Sequence, residues 1–314
     1  MNKKLFILGF IVGVVIVVAL SVRLATNQST NTETKSPKTS VVTDVVQDKV
    51  GNLQPSTTDD KTTKVEKLSL KVGDKDRSYT LERPEDNASI KNIIIALHGS
   101  SGSGEKLQEN LRLSELVSKN KTVIAYPDGV DKSWNDIRVK SEDVDDIGFI
   151  TQLTQSLQKE YKVNKENTTL LGISNGGFMV QTLVCQDDTL AKNMVSVVAS
   201  FLVELAEQCK SLPVNSVYVL GQKDTIVPYA GGDLVTPIKG QALSAEKTLT
   251  NAAQINKCSD GIEEKEATSV LIQKVSGCQG NGQVSLITYI NESHISLPLR
   301  VDFVSIIREN ELVK

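Results

Sequence analysis

From Lys64 onward, short apolar runs alternate with segments whose apolar residues recur every three or four positions. "NIIIALHG" is a brief apolar run closed by glycine, as a strand buried on both faces is, and "TVIAYPDG", "TTLLGIS", "MVSVVAS", "SVYVLG" and "VSLITYI" repeat the form. Ahead of them, "KVEKLSLKVGDKDRSYTLERP" reads as a hairpin with "GDKD" at its turn. In "DVDDIGFITQLTQSLQKEYKV", Ile150, Leu153, Leu157 and Tyr161 fall on one helical face, and acidic residues crowd the first turn, where the helix dipole favours them. A second helix is predicted from Gly176 through "GFMVQTLVCQ", and a last one over "LPLRVDFVSIIRENEL". Apolar strands alternating with amphipathic helices predict an α/β domain, with a mostly parallel central sheet and helices on both faces. Residues 230–283 are less regular. They are expected to form an insertion or partial lid over the carboxyl edge of the sheet, the edge where α/β sheets bind ligands.

The first residues follow another pattern. In "MNKKLFILGFIVGVVIVVALSVR" two lysines precede eighteen uncharged, mostly apolar residues, Leu5 to Val22, and Arg23 follows. As a helix this run is roughly 27 Å long, close to the thickness of a bilayer's hydrocarbon core. It reads as an uncleaved anchor with Lys3 and Lys4 cytoplasmic and the rest of the chain exported; the alternative is a signal peptide cleaved near Ala19–Ser21. The stretch after it is rich in Thr, Ser, Asn, Asp and Lys, holds no aromatic residue, and cannot bury enough apolar surface to offset its ordering entropy. About 40 such residues make a tether with a reach of roughly 35 Å. The organisation expected is therefore a membrane segment over residues 1–23, a flexible linker over 24–64 and one catalytic-sized domain over 65–314.

Composition narrows the chemistry. A formal net charge of -3 over 314 residues, without a Lys/Arg-rich tract, excludes nucleic acid as a main partner. Cys185, Cys209, Cys258 and Cys278 form neither a C-x-x-C pair nor a cluster with histidine, so no metal site is expected. Outside the cytoplasm four cysteines usually pair, in one of three connectivities. Proximity favours Cys185–Cys209 and Cys258–Cys278, against the alternative of four buried thiols.

One serine stands out. Gly172-Ile173-Ser174-Asn175-Gly176 fits G-x-S-x-G where a strand gives way to a helix. At such a sharp turn the serine takes a strained backbone, tolerated only between small residues, and its hydroxyl stands proud of the sheet. The bland reading is a Ser/Asn helix cap beside a glycine turn. A nucleophilic hydroxyl needs a base and an orienting acid, which follow it in the order acid then histidine in α/β-hydrolases. His294, just past "VSLITYI", is the sole histidine after Ser174, and Asp224 follows the intervening strand, with Asp233 and Asp260 as competitors. The Asn175 amide at the helix start is one candidate donor to an oxyanion. A second is expected from Ser100 or Ser101 in "IALHGSSGSG", with His98 ordering that loop. The same loop lacks the G-K-[ST] ending of a phosphate cradle, so a nucleotide site is rejected.

These segments, in order "ALHGSSGSG", "AYPDGVDKSWND", "DDIGFI", "GISNGGFM", "VASFLVELAEQC" and "GQKDTIVPYAGG", with the region of His294, resemble exported α/β-hydrolase esterases of the polyhydroxybutyrate depolymerase and feruloyl/acetylxylan esterase type. The likeness covers roughly residues 65–310. It implies Ser174, Asp224 and His294 as the triad, Trp134 and Asn135 beside the substrate pocket, and the same two cysteine pairs. Two departures stand out. The family's "GGHTWPG"-like stretch reads "NESHISLP" here, and the loop after "WND" is short, so polyester or feruloyl specificity is not implied. The expected protein is a membrane-tethered, extracytoplasmic serine esterase acting on small-molecule or polymeric esters without metal or organic cofactor. A serine peptidase on the same fold, or a tethered binding module with a decayed triad, are the alternatives.

Overall fold

The computed structural model of the chain describes residues 63–86, 89–139, 143–212 and 215–314. The expected membrane segment and most of the expected linker lie outside them. Among the described residues no helix is long and apolar enough to cross a membrane.

The chain begins with the predicted hairpin, β1 (Thr63–Val72) and β2 (Lys75–Pro84), antiparallel about a turn at Gly73, whose φ of 58° suits glycine. The apolar runs then form β3 (Asn92–Leu97), β4 (Thr122–Pro127), β5 (Thr168–Ile173), β6 (Asn193–Val197), β7 (Asn215–Gly221) and, later, β12 (Gly282–Tyr289). Neighbouring pairs among these six run parallel. Alternate residues of one run face opposite layers: Ile93, Ile95 and Leu97 join one apolar cluster, Ile94 and Ala96 the other. Each fully buried isoleucine of this kind contributes about 1.5–3 kcal/mol.

Helices cover both faces. On one lie α3 (Asp146–Tyr161), α4 (Asn175–Gln186), α5 (Val203–Gln208) and α6 (Ala245–Ile255); on the other lie α1 (Gly104–Leu111), α2 (Ser114–Asn120) and α7 (Phe303–Glu309). Ile150, Leu153 and Leu157 are buried on α3 as its periodicity predicts, and Asp145 caps it by accepting from the Gly148 amide. The last predicted helix is interrupted. Leu297–Leu299 forms a 3-10 turn with Pro298, and α7 starts afresh behind the cap Asp302, which accepts from the Ser305 amide. The short helices α1, α2 and α5 had no counterpart in the apolar periodicity.

Residues 230–283 do not form the expected lid. Only β8 (Gly232–Asp233) and β9 (Gln241–Ala242) make a small separate ladder. Helix α6 joins the main core, and β10 (Ile262–Ala267) and β11 (Val270–Cys278) extend the main sheet antiparallel beyond β12. The sheet order is β1-β2-β4-β3-β5-β6-β7-β12-β11-β10. The edge of the sheet reads as irregular in sequence because β10 is exposed throughout and carries no buried stripe. Both expected disulfides, Cys185–Cys209 and Cys258–Cys278, are present. Each ties a chain end at the amino edge of the sheet: α4 runs back from the carboxyl edge to Cys185, and Cys278 leads into the start of β12.

Candidate active site

The site is built at the carboxyl edge of β3, β5, β7 and β12. Strand β5 ends at Ile173, and Ser174 turns the chain into α4 with φ 55° and ψ -117°, a sparsely populated conformation for a residue with a side chain. Its amide still bonds the Val197 carbonyl at 2.8 Å, and its carbonyl already accepts from the Phe178 amide at 3.0 Å. The motif glycines are forced by close approach. A Cβ on Gly172 would lie 2.1 Å from the Gly176 carbonyl oxygen, and one on Gly176 would lie 2.4 Å from that of Leu97.

The sheet order brings the base and acid together. Because β7 and β12 are parallel neighbours, the loops after them leave side by side, and backbone bonds zip them: Gln222 N–H to Tyr289 O at 2.9 Å and Lys223 N–H to Glu292 O at 3.0 Å. His294 Nδ1 lies 2.8 Å from Asp224 Oδ2, and His294 Nε2 lies 2.8 Å from Ser174 Oγ. The other Asp224 oxygen accepts from the amides of Ile226 and Val227, both at 2.8 Å, which fixes the carboxylate as an acceptor. His294 therefore carries its proton on Nδ1 and offers Nε2 to the serine hydroxyl. Both residues are buried, so their bond is shielded from water. The loop that lacks the tryptophan-bearing stretch is held by a reciprocal serine pair instead: Ser293 N–H donates to Ser296 Oγ, and Ser296 N–H to Ser293 Oγ. Asp233 is exposed and bonds Gln241, and exposed Asp260 bonds Ser259, so neither competitor meets the histidine.

The loop after β3 packs on the serine: a Cβ on Gly99 would lie 3.5 Å from that of Ser174. Of the two expected donors there, Ser101 is excluded. Its amide bonds the Lys132 carbonyl at 2.8 Å and has no proton to spare. The Asn175 amide lies in the first turn of α4, where no intrahelical acceptor exists, and Ser100 remains the candidate donor of the β3 loop. His98 does order this loop. Its Nε2 accepts from the Gly129 amide at 3.0 Å and its Nδ1 donates to the Gly99 carbonyl at 2.8 Å. Burial pushes its pKa below the usual histidine value, partly offset by the Gly99 bond and by Asp128 and Asp146.

Trp134 does not line a pocket. It is fully buried, its indole N–H donates to the His98 carbonyl at 2.8 Å, and its ring lies 4.8 Å from the imidazole. Asn135 bonds inward too, its amide to Asp146 Oδ2 at 2.8 Å and its side chain to the Val144 carbonyl. The cleft it borders, about 580 Å³ and shared with Ile137, Val144 and Gln186, is not lined by Ser174, Asp224 or His294. Sequence reasoning missed two residues of the same segment, Asp136 and Arg138, which form a buried ion pair tied to Asn175. A carboxylate and a guanidinium two positions apart beside "WN" were the available signal. Among the described residues no three His, Cys, Asp or Glu side chains converge as a metal site.

No protein-family profile and no curated protein sequence matches the chain. Solved structures do. The acetyl xylan esterase from Aspergillus awamori aligns over 79% of this chain and 99% of its own, with a TM-score of 0.59 and 13% identity. A cold-adapted esterase from an Arctic intertidal metagenomic library aligns over 81% of this chain and 95% of its own, at TM-score 0.52 and 14% identity. Oligopeptidase B from Leishmania major aligns over 82% of this chain and 37% of its own, at TM-score 0.54 and 13% identity. Taken with the mostly parallel sheet and its strand-to-helix turn at Ser174, these likenesses show that the chain has the α/β-hydrolase fold.

Proposed function

We propose that the protein is a serine esterase of the polyhydroxybutyrate depolymerase and feruloyl/acetylxylan esterase type, which hydrolyses carboxylic esters through an acyl-enzyme. The observation that carries this reading is the relay Ser174 Oγ–His294–Asp224, two bonds of 2.8 Å with the serine on a strained strand-to-helix turn. Ser174 Oγ attacks the ester carbonyl while His294 Nε2 takes its proton. The tetrahedral oxyanion accepts from the amides of Asn175 and Ser100, and Asp224 stabilises the imidazolium. His294 then protonates the departing alkoxide. It next deprotonates the water that attacks the acyl-enzyme, and carboxylic acid and free serine result. Ile295 and Leu299, one and five positions after the histidine and 70% and 73% exposed, offer apolar surface to an acyl or alkoxy group. The second reading is a serine peptidase on the same fold, which the same three side chains would serve. We further place the domain outside the cytoplasm, tethered by the N-terminal apolar segment; the two disulfides support an oxidising compartment.

The test is labelling of the full-length chain by a fluorophosphonate, with hydrolysis of p-nitrophenyl acetate and of a matched p-nitroanilide. Labelling lost in Ser174→Ala, with ester hydrolysis lowered at least about 10⁴-fold, is expected. Hydrolysis unchanged in that variant overturns the mechanism, and faster turnover of the anilide selects the peptidase.

A further inference from the structure

The side chain of Asn175 has every hydrogen-bonding position filled. Oδ1 accepts from the Trp134 amide at 2.7 Å and from Ser133 Oγ at 3.1 Å, and Nδ2 donates to the Trp134 carbonyl and to Asp136 Oδ2, both at 3.0 Å. Asp136 in turn is held by Arg138, whose Nε and Nη2 reach its two oxygens at 2.8 and 2.5 Å. The pair is 2% and 0% exposed at its side chains, and the guanidinium lies 4.3 Å above the Phe178 ring, one turn further along α4. A charge pair so deeply buried returns little net stability. It does complete a chain of bonds. From Asp136 the chain passes through Asn175 to Trp134, and from the Trp134 indole to the carbonyl of His98, which precedes the Gly99–Ser100 turn. Of the two amides proposed to bind the oxyanion, that of Asn175 stands within this chain and that of Ser100 just beyond its His98 end, each in the segment that follows one of the paired strands β5 and β3.

We propose that Asp136, held by Arg138, is a positioning residue for the oxyanion site, acting through the Asn175 side chain to set the Asn175 amide against the Ser100 turn. The proposal rests on the esterase reading. Asp136 touches neither the serine nor the histidine, and its effect is confined to the geometry in which the oxyanion is met. Misplacing such donors lowers turnover and leaves ground-state binding nearly intact.

The full-length chain is compared with Asn175→Ala, which keeps the backbone amide, and with the double variant Asp136→Asn/Arg138→Leu, which removes both charges and so leaves none buried unpaired. In both variants kcat for p-nitrophenyl acetate is expected to fall about 10- to 100-fold, with KM within about twofold and the pH profile unmoved. Fluorophosphonate labelling should slow in proportion. Folded variants whose kcat stays within about twofold of the parent overturn the proposal. A parent inert toward esters instead defeats the esterase reading, and a second readout then still decides the linkage. Trp134 is the sole tryptophan of the chain, so its indole N–H gives one identifiable proton resonance. Exchange of that proton at least about tenfold faster in the double variant supports the bond chain, and unchanged exchange overturns it.

Discussion

His98 shows how one buried ring sets a condition on the site. Its Nε2 must hold a lone pair to accept from the Gly129 amide while Nδ1 donates to Gly99. The cation has no such lone pair, and burial lowers the pKa accordingly. In the unfolded chain this histidine takes up a proton below about pH 6.5. The folded chain resists until a lower pH, so between the two values the unfolded state binds more protons and stability falls as pH falls. Above that window the group adds no pH dependence. Urea melts of the full chain and of His98→Gln at pH 5 and 7.5 check this. The stability advantage of the parent is expected to shrink on going to pH 5, and an equal advantage at both values refutes it. At this scale the sequence already marked Ser174, Asp224 and His294, because each sits at a strand end where a side chain must face the edge. It left Ser100 and Ser101 undecided, since the choice turns on one backbone bond to Lys132, a residue remote in the chain.

Among the elements, α4 carries the most function and its two ends are held by different means. At the first turn, close-packed glycines and the Asn175 bonds fix it against β3; at the last, the Cys185–Cys209 bridge ties it to the end of α5. The bridge closes a loop of 24 residues and lies ten positions from Asn175, about 15 Å along the helix. Replacing both of its cysteines by serine should cost about 3 kcal/mol of stability by denaturant melting. The kcat of the folded variant should be unchanged, and a large loss of kcat at full stability contradicts the division between the two ends. The strong runs β3 to β7 were legible because burial on both faces leaves an unbroken apolar stretch, and α3 because burial of one face leaves a stripe. Helices of six to eight residues, such as α5 and α1, carry too few turns to show one, and Pro298 broke the last predicted helix locally. Strand β10 is exposed throughout, with charges at four of its six positions, which blunts an open sheet edge but hides the strand from a reading of apolar pattern.

For the whole molecule, the proposed tether makes its own prediction. Full-length chain expressed in a bacterial host should sediment with membranes and be cut by protease added to intact spheroplasts, whereas a variant lacking residues 1–23 should be soluble. Recovery of the full-length chain, with its N terminus intact, in the soluble fraction rules the anchor out. The alternating α/β plan, the proximity of each cysteine pair and the serine between its glycines were determined by the sequence itself, because each is written in local spacing or composition. Tertiary structure alone decided the rest. Asp224 and His294 are 70 residues apart and meet because β12 returns beside β7, a choice of sheet order that no local pattern encodes. The backbone of Trp134 and Asn135 is held by Asn175 of α4 and Asp146 of α3, two side chains remote in the chain that only the packing of these helices brings to one segment. Strands β10 and β11 join the sheet for the same kind of reason: β12 had an open edge, and β11 had the backbone to pair with it.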